Sequence, residues 1–295
     1  MTGKRIDQRT SYTGDNGFSR RDYLKFAGTS VVIVGGVGLM TNGDEALTGS
    51  GSVEESQWSL AFESTFDGRT LDTDHWGVGW GWGRNTTTSV THIVPENVIV
   101  EDGKLRLRGT HDGTDVLSGT VNTKNKVIFG PGSYVEARIR FAGREGFLNA
   151  FWAKPNSEKW PPEIDVVELW QDGSGWDDRH LSQHRLHYSQ STIPGDNSTE
   201  ETIGTAYAPG DDLTENFHVY GVEWQPTHIS YYVDGTKVGR FTNETMLTAM
   251  QRGAPHYLMA SLNINNVGTA DTSEAWDEEM VLDWVRLWDL PTNED

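Results

Sequence analysis

Three carboxylates stand close together in the run Glu163-Ile164-Asp165-Val166-Val167-Glu168, at a spacing that could do chemistry. Side chains alternate between the two faces of a β-strand, so Glu163 and Asp165 share one face. Glu168 has the wrong parity to join them, and a one-residue bulge at Val166-Val167 would correct it. We therefore predict three carboxylates in a row on one face of a strand whose other face is apolar.

Two carboxyl groups held about 5–5.5 Å apart are what a retaining glycosidase needs, one as nucleophile and one as general acid/base. Asp165 between the two Glu residues would help to keep one of them protonated and the other ionised. The spacing alone decides nothing, because 43 of the 295 residues are acidic, and an exposed polar strand face is the alternative. The apolar residues between the acids favour an active site, as do the nearby tryptophans Trp152, Trp160, Trp170 and Trp176.

The elements that must position these carboxylates are strands rather than helices. From about residue 58 onward, short stretches of alternating apolar and polar residues are separated by turn signals. Asp102-Gly103 and Asp234-Gly235 each join two such stretches, which predicts β-hairpins. A helical pattern occurs only briefly, near Glu244 to Gln251. The sequence therefore predicts an all-β domain, built as an antiparallel two-sheet β-sandwich.

The composition argues against several classes of function. With 43 acidic and 24 basic residues, the chain has a formal charge of −19. This charge argues against nucleic acid as a partner and, more weakly, against an anionic polymer as substrate. The lack of Cys excludes disulfides, thiolate metal sites and a thiol nucleophile. An acidic, Lys-poor chain is typical of proteins that work in high salt, so a halophilic, haloarchaeal-type source is our hypothesis.

The first 45 residues have the pattern of an export segment rather than of a folded element. Ser19 to Phe26 (SRRDYLKF) is a twin-arginine pattern, and the apolar run from Ala27 to Met40 has the length of a signal h-region. A membrane anchor or a buried strand is the alternative, but a span needs about 20 apolar residues. We expect a twin-arginine signal in 1–45, a linker in 46–56, a catalytic domain in 57–291, and a secreted protein without a stable membrane anchor.

The order of motifs around the carboxylate run resembles glycoside hydrolase family 16, the laminarinase-like β-glucanases. The family signature, Glu-apolar-Asp-apolar-apolar-Glu, stands at 163–168, and Ala150-Phe151-Trp152 precedes it. The resemblance implies a β-jelly-roll, related to concanavalin A, with a concave substrate cleft and endo-hydrolysis with retention. Further matching segments cover most of the chain after the linker; they are 62–76, 97–107, 118–124, 132–140, 219–224, 234–235 and 283–288.

The resemblance also implies a role for each carboxylate. By position, Glu163 would be the nucleophile, Glu168 the general acid/base, and Asp165 the supporting carboxylate. No cofactor is required for such catalysis.

The same resemblance, together with local pattern, indicates side chains for sugar binding. Trp152 has the parity to face the cleft and could stack on a sugar. His187 matches a histidine of the family on the neighbouring strand, although a lone His is more often structural. The Gly-spaced aromatics of 79–85 (GWGWGRN) either bind sugars or wedge a loop. The expected substrate-binding residues are Trp80, Trp82, Asn85, Trp152, Trp170, His187 and Asn263.

Many members of the family carry a structural calcium on the convex side. The matching positions here are Glu63, Gly103 and Asp283, and oxygen ligands suit this ion. The chain departs from the family pattern at Leu148-Asn149 and at 169–173, which border the substrate sites. These departures bear on the identity of the sugar rather than on the mechanism.

Several functions stay open at this point. The leading expectation is an endo-β-glucanase, acting as a monomer on a polysaccharide with β-1,3 or mixed β-1,3/1,4 links. A galactanase of the same family, agarase- or carrageenase-like, is the second, and the sparse positive charge disfavours sulfated substrates. A carbohydrate-binding lectin on the same sandwich is the rival from another class. Transglycosylation by the same residues also stays open.

Overall fold

The computed structural model describes residues 58–83, 86 and 91–290. The predicted export segment and linker lie outside these residues, as does Asn85. Among the described residues, no helix combines the length and the apolar character that crossing a bilayer requires.

Strands dominate the described part of the chain, as the sequence predicts. They are β1 (Ser59–Ser64), β2 (Gly77–Val78), β3 (Thr91–Ile93), β4 (Val98–Glu101), β5 (Lys104–His111), β6 (Val116–Ser118), β7 (Thr120–Asn122), β8 (Ile128–Phe129), β9 (Ser133–Arg140), β10 (Phe147–Pro155), β11 (Glu163–Trp170), β12 (Ser182–Ser189), β13 (Glu200–Tyr207), β14 (His218–Gln225), β15 (His228–Val233), β16 (Thr236–Phe241), β17 (His256–Ile264) and β18 (Trp276–Asp289). The helical elements are a 3₁₀ turn (Pro95–Asn97), α1 (Asp177–His180) and α2 (Glu244–Gly253).

Two sheets contain all of these strands. The first, which we call the carboxylate sheet, has the order β13-β12-β11-β10-β17-β7-β2, with β8 beside β17. The second sheet has the order β16-β15-β14-β9-β18-β5-β6-β3, with β1 beside β18 and β4 beside β5. Described pairings are antiparallel except that of β3 with β6. The prediction of an antiparallel two-sheet β-sandwich is confirmed.

The core lies between the sheets and explains the alternation in the sequence. In β5, Leu105 and Leu107 are fully buried while the alternating basic residues Lys104, Arg106 and Arg108 stay partly exposed. In β11, Ile164 and Val166 are likewise fully buried. Burying such side chains stabilises the fold by about 1.5–3 kcal/mol each. The apolar back of β11 therefore fixes which way its carboxylates face.

Local signals in the sequence place the turns and the longer of the described helices. Asp234 and Gly235 have φ values of +47° and +77°, as a tight two-residue hairpin between β15 and β16 requires. Asn243 caps α2, because its side-chain oxygen accepts a hydrogen bond from the backbone N–H of Met246 at 2.9 Å. The hairpin and the helix near Glu244 are both as predicted.

Candidate active site

A bulge in β11 brings the third carboxylate to the face of the other two. Against β10, Asp165 pairs with Trp152 and Val167 pairs with Phe151, so Val166 has no partner in the register. The register with β12 also shifts, between Asp165 and Glu168. The bulge that side-chain parity predicts is therefore confirmed. We call the resulting surface the carboxylate face: the side of the sheet that carries Glu163, Asp165 and Glu168.

His187 on β12 stands opposite Glu163 and contacts the carboxylate row. Its Nε2 lies 3.2 Å from Oδ2 of Asp165 and 3.9 Å from Oε1 of Glu163. Its Nδ1 lies 3.0 Å from Oε1 of Glu200, on β13. The expected position of His187 beside the acids is thus what the structure has. Glu200 was not among the predicted residues, because only the pairing of β12 with β13 brings it there.

Burial and mutual repulsion favour the protonated forms of the two glutamates. Burial raises the pKa of Glu163 to about 8, and the negative charge of Asp165 acts in the same direction. Burial also raises the pKa of Glu168 to about 7, again with a contribution from Asp165. Arg185 opposes the shift at Glu168, since its Nε lies 3.8 Å from Oε2. Such a site holds a proton near neutral pH, which a general acid needs.

The imidazole of His187 is held in its charged form. Burial by itself would lower the pKa of His187, but its contacts with the carboxylates of Asp165 and Glu200 raise it well above its usual value. The ligand atoms of Glu163, Asp165 and His187 lie within 4.8 Å of one another, a spacing that a metal ion could use. Among the described residues, the arrangement around this imidazole is an ion-paired row with Asp165 and Glu200.

A loop of tryptophans borders the carboxylate face. The rings of Trp80 and Trp82 stack with centroids 5.2 Å apart, and both lie edge-on to Trp152. Trp80 is only 6 % exposed, whereas Trp82 and Trp152 are partly exposed. The prediction that Trp80 binds sugar therefore needs correction, because it has almost no surface to offer. It packs behind Trp82 and donates from Nε1 to the carbonyl of Thr86 at 3.1 Å.

Hydrogen bonds from side chains to backbone carbonyl oxygens hold this loop against the sheet. Asn122 donates to the carbonyl of Gly79 at 2.7 Å, Lys124 to that of Gly81 at 2.8 Å, and Tyr257 to that of Trp80 at 3.0 Å. A side chain at Gly81 would meet Asn122 and Lys124 at about 3.0 Å, and its φ is +86°. Glycine is thus required there for the loop to lie so close.

The sequence did not lead us to two basic side chains that lie on the carboxylate face. Nζ of Lys154 lies 4.2 Å from the ring centre of Trp82, and the guanidinium of Arg185 lies 4.0 Å from that of Trp170. Strand parity could have found both. Lys154 is two residues after Trp152, and Arg185 is two residues before His187.

The other predicted sugar-binding residues are distributed along the same face. Trp152 donates from Nε1 to Ser261 Oγ at 3.1 Å, which leaves its ring facing outward beside Asp165. Asn263 pairs with Leu148, and its buried Oδ1 accepts no hydrogen bond from the described residues. Trp170 ends β11 under the guanidinium of Arg185.

The three residues matched to a calcium site lie on or beside the second sheet and engage cations of the chain itself. Asp283 Oδ2 lies 2.6 Å from Arg138, and its Oδ1 lies 3.4 Å from Lys104. Glu63 pairs with Arg286 at 2.8 Å, while Gly103 forms the β4–β5 turn. Calcium requires six to eight oxygen ligands, and a carboxylate held by two cations does not fit that shell.

Comparison with known proteins agrees with this geometry. The family model described as "Beta-porphyranase A-D, GH16 domain" matches residues 60–290. Glucan endo-1,3-beta-glucosidase A1 of Niallia circulans is 27 % identical over 271 residues, covering 78 % of this chain and 38 % of that protein. A beta-glucanase of Rhodothermus marinus is 27 % identical over 256 residues, covering 78 % of this chain and 85 % of that protein.

Solved structures show the same fold. The endo-beta-1,3-glucanase from Pyrococcus furiosus superposes with a TM-score of 0.63 at 25 % identity, covering 80 % of this chain and 96 % of that one. The family match extends over most of the chain and contains the whole carboxylate row. The protein therefore belongs to glycoside hydrolase family 16 and is a glycoside hydrolase.

Proposed function

We propose that the protein is a retaining endo-hydrolase of a β-linked glucan, with β-1,3 or mixed β-1,3/1,4 links. The observation that carries the proposal is the bulged strand, which sets Glu163, Asp165 and Glu168 on one face, with the pKa of the proposed acid Glu168 raised. The names of the relatives from Niallia circulans and Rhodothermus marinus support glucan as the polymer.

The proposed chemistry proceeds in two displacements. In the first, Glu163 attacks the anomeric carbon while Glu168 donates its proton to the departing glycosidic oxygen, giving a glycosyl-enzyme ester. In the second, Glu168 takes a proton from water, and the water oxygen displaces Glu163 from the same carbon. Both displacements invert that carbon, so its configuration is retained overall.

Asp165 and His187 act on the charge of the site in this proposal. Ionised Asp165 raises the pKa of Glu168 and so favours the proton that the first step consumes. His187 lies between Asp165 and Glu200, which supports a role in balancing the negative charge of the row. The charge of the row then changes little as the proton moves.

Sugar contacts are proposed for the aromatic side chains beside the row. Trp152 offers a partly exposed ring beside Asp165, with Trp82 next to it, and Trp170 lies at the end of β11. Pyranose rings present C–H faces that stack on such aromatic planes. Asn263 is partly exposed, but its Oδ1 is buried, so a sugar contact through that atom would need the side chain to turn.

An anionic galactan is the second candidate substrate. Lys154 and Arg185 put two cations on the carboxylate face of a chain whose formal charge is −19. The matching family model is named for porphyranases, which is a second reason to test such polymers. Two of the 24 basic residues of the chain therefore lie on the face where a substrate would bind.

A substrate panel tests the proposal. Reducing ends are measured on laminarin, lichenan, agarose, carrageenan and porphyran at low and high salt, with Glu163→Gln and, as a matched control, exposed Glu96→Gln. We expect turnover on laminarin or lichenan that falls at least about 1,000-fold in Glu163→Gln and is unchanged in the control. NMR of the first product should show the β-anomer.

Each alternative gives a different result in the same panel. Near wild-type turnover in Glu163→Gln would refute the nucleophile assignment. Binding without turnover on every polymer would favour a lectin. Products longer than the substrate would indicate transglycosylation. Turnover confined to carrageenan or porphyran, and lowered in Lys154→Met, would replace glucan by the second candidate.

The proposal includes export of the folded protein. The twin-arginine pattern at 19–26 and the following apolar run support it, and the lack of Cys suits a chain that is folded before export. Replacing both Arg20 and Arg21 with Lys should leave the protein inside a twin-arginine-competent host. Unchanged appearance in the medium would contradict this route.

A further inference from the structure

The bulge in β11 creates a local problem for the backbone. The ladder to β12 pairs Asp165 with Arg185 and Glu168 with Gln183, so two residues of β11 face the single residue His184. Val166 is fully buried, and its carbonyl stands at the shift in register. A buried carbonyl without a partner destabilises a fold, so a bulge here needs a donor from outside the ladder.

His184 supplies that donor. Its side chain is fully buried on the core side of β12, and Nδ1 lies 2.6 Å from the carbonyl oxygen of Val166. A carbonyl only accepts, so Nδ1 carries the proton in this contact. Burial lowers the pKa of His184 to about 4, which keeps the ring neutral. Its Nε2 lies 3.1 Å from Ser182 Oγ.

A second contact from the other sheet supports the same segment. Tyr231 of β15 donates its hydroxyl to the carbonyl oxygen of Arg185 at 2.5 Å, on the residue paired with Asp165. The rings of Tyr231 and His184 lie 5.4 Å apart. We call these two side chains the bulge clamp. Both lie beneath the carboxylates, on the core side of the carboxylate sheet.

We propose that His184, supported by Tyr231, is a positioning residue that holds the bulge and thereby sets Glu168 on the face of Glu163. The inference rests on the proposed function, because it assigns the clamp to the acid/base carboxylate. Without the bulge, the parity of β11 turns Glu168 toward the core. Glu163 and Asp165 precede the bulge and keep their face.

Loss of the bulge should slow only those reaction steps that need Glu168. Hydrolysis of a polysaccharide needs its proton, because an alkoxide is a poor leaving group. A dinitrophenyl β-oligoglucoside needs no such proton in the first step, because dinitrophenolate leaves unaided. Azide attacks the glycosyl-enzyme without a base and gives a glycosyl azide. A displaced acid/base is therefore revealed by the ratio of the two activities and by acceleration with azide.

The experiment compares His184→Phe, Tyr231→Phe and His184→Asn with the wild type. Phe keeps ring volume but removes the donor, whereas the Asn amide places an N–H near the position of Nδ1. The matched control is His256→Phe, since His256 is also fully buried but its ring nitrogens make no hydrogen bond to the described residues. Circular dichroism and thermal unfolding report the folded fraction of each variant.

We expect His184→Phe to lose about 100-fold in kcat on polysaccharide, at the low end of what general acid/base catalysis contributes. Its loss on the dinitrophenyl substrate with azide should be several-fold smaller. Tyr231→Phe should shift the ratio in the same direction by less, and His184→Asn should restore most of the wild-type ratio. His256→Phe should keep the wild-type ratio and show no azide effect.

A purely structural role gives a different pattern. Loss of folded protein lowers both activities equally and leaves their ratio and the azide response unchanged. Wild-type ratios in folded His184→Phe and in Tyr231→Phe would overturn the inference. If His184→Phe yields no folded protein, Tyr231→Phe alone decides, because it removes only a hydroxyl group.

Glu168→Ala separates this inference from the proposed function. It should lose polysaccharide activity, retain activity on the dinitrophenyl substrate and respond to azide. If Glu168→Ala shows none of this, the acid/base assignment itself fails. If Glu168→Ala behaves as expected and the clamp variants do not, only the role of the bulge clamp fails.

Discussion

Nε2 of His187 lies 3.2 Å from Oδ2 of Asp165, across the pairing of β12 with β11. The contact places a cation beside the carboxylate row, in which Glu163 and Glu168 have raised pKa values. The negative charge of Asp165 raises the pKa of both neighbouring carboxyl groups, in addition to the effect of burial. Changing that charge should alter the pH dependence of the reaction.

Asp165→Asn should lower kcat/KM on the best substrate by about 100-fold or more, since acid/base chemistry depends on the tuned proton. Activity falls as pH rises through the pKa of the general acid. Removing the negative neighbour lowers the pKa of Glu168, so the alkaline limb of the profile should move to lower pH. The measurement is kcat/KM from pH 4 to 9, with exposed Asp115→Asn as control. An alkaline limb that stays in place or moves upward would contradict the role of Asp165.

Buried glutamates with raised pKa values should make stability depend on pH. The raised pKa of Glu163 contributes stability that is fully present below its usual value of 4.5 and is lost as pH rises through about 8. Glu168 behaves likewise through about 7. Glu163→Gln should therefore gain in Tm relative to the wild type at pH 8.5 and gain less at pH 5.

Thermal unfolding of Glu163→Gln, Glu168→Gln and control Glu96→Gln at these two pH values checks this expectation. A domain of this size shifts by about 2–4 °C for each 1 kcal/mol. If each variant differs from the wild type in Tm by the same amount at both pH values, ionisation of the glutamates does not destabilise the fold.

Of the two stacked tryptophans, Trp82 should bind the substrate and Trp80 should stabilise the fold. Trp82→Ala should raise KM about 3- to 10-fold with kcat nearly unchanged, since a stacking contact adds about 0.5–1.5 kcal/mol and is made in both ground and transition states. Trp80→Ala should instead lower the free energy of unfolding by about 3–5 kcal/mol. Trp284→Ala on the second sheet serves as control. A rise in KM for Trp80→Ala without loss of stability would reverse the two roles.

Chelation should leave the fold intact. Because Asp283 is held by Arg138 and Lys104, EDTA or added calcium should move Tm by less than about 1 °C, as linkage requires where no site binds the ion. Asp283→Asn should cost about 1 kcal/mol or less, since these pairs are partly exposed. A Tm that rises with calcium in the wild type, but not in Asp283→Asn, would restore the calcium site that the family resemblance implies.

Local patterns in the sequence determined much of the fold and the central row of the site. The parity of Ile164, Val166 and the three acids required a bulge, because an apolar residue on the wrong face costs burial. Asp234-Gly235 and Asn243 set a hairpin and a helix start through backbone preferences that need no distant contact. The carboxylate row follows from one strand, so one segment of sequence was enough to predict it.

Tertiary structure decided what lies around that row. Glu200 reaches His187 because β13 pairs with β12. His184 meets the carbonyl of Val166 only because the register of β11 shifts at the bulge. Trp80 and Trp82 have the same local pattern, and only the fold of their loop buries one and leaves the other partly exposed. Side-chain alternation is a property of one chain segment, whereas contacts, burial and pKa depend on which segments the sheets bring together.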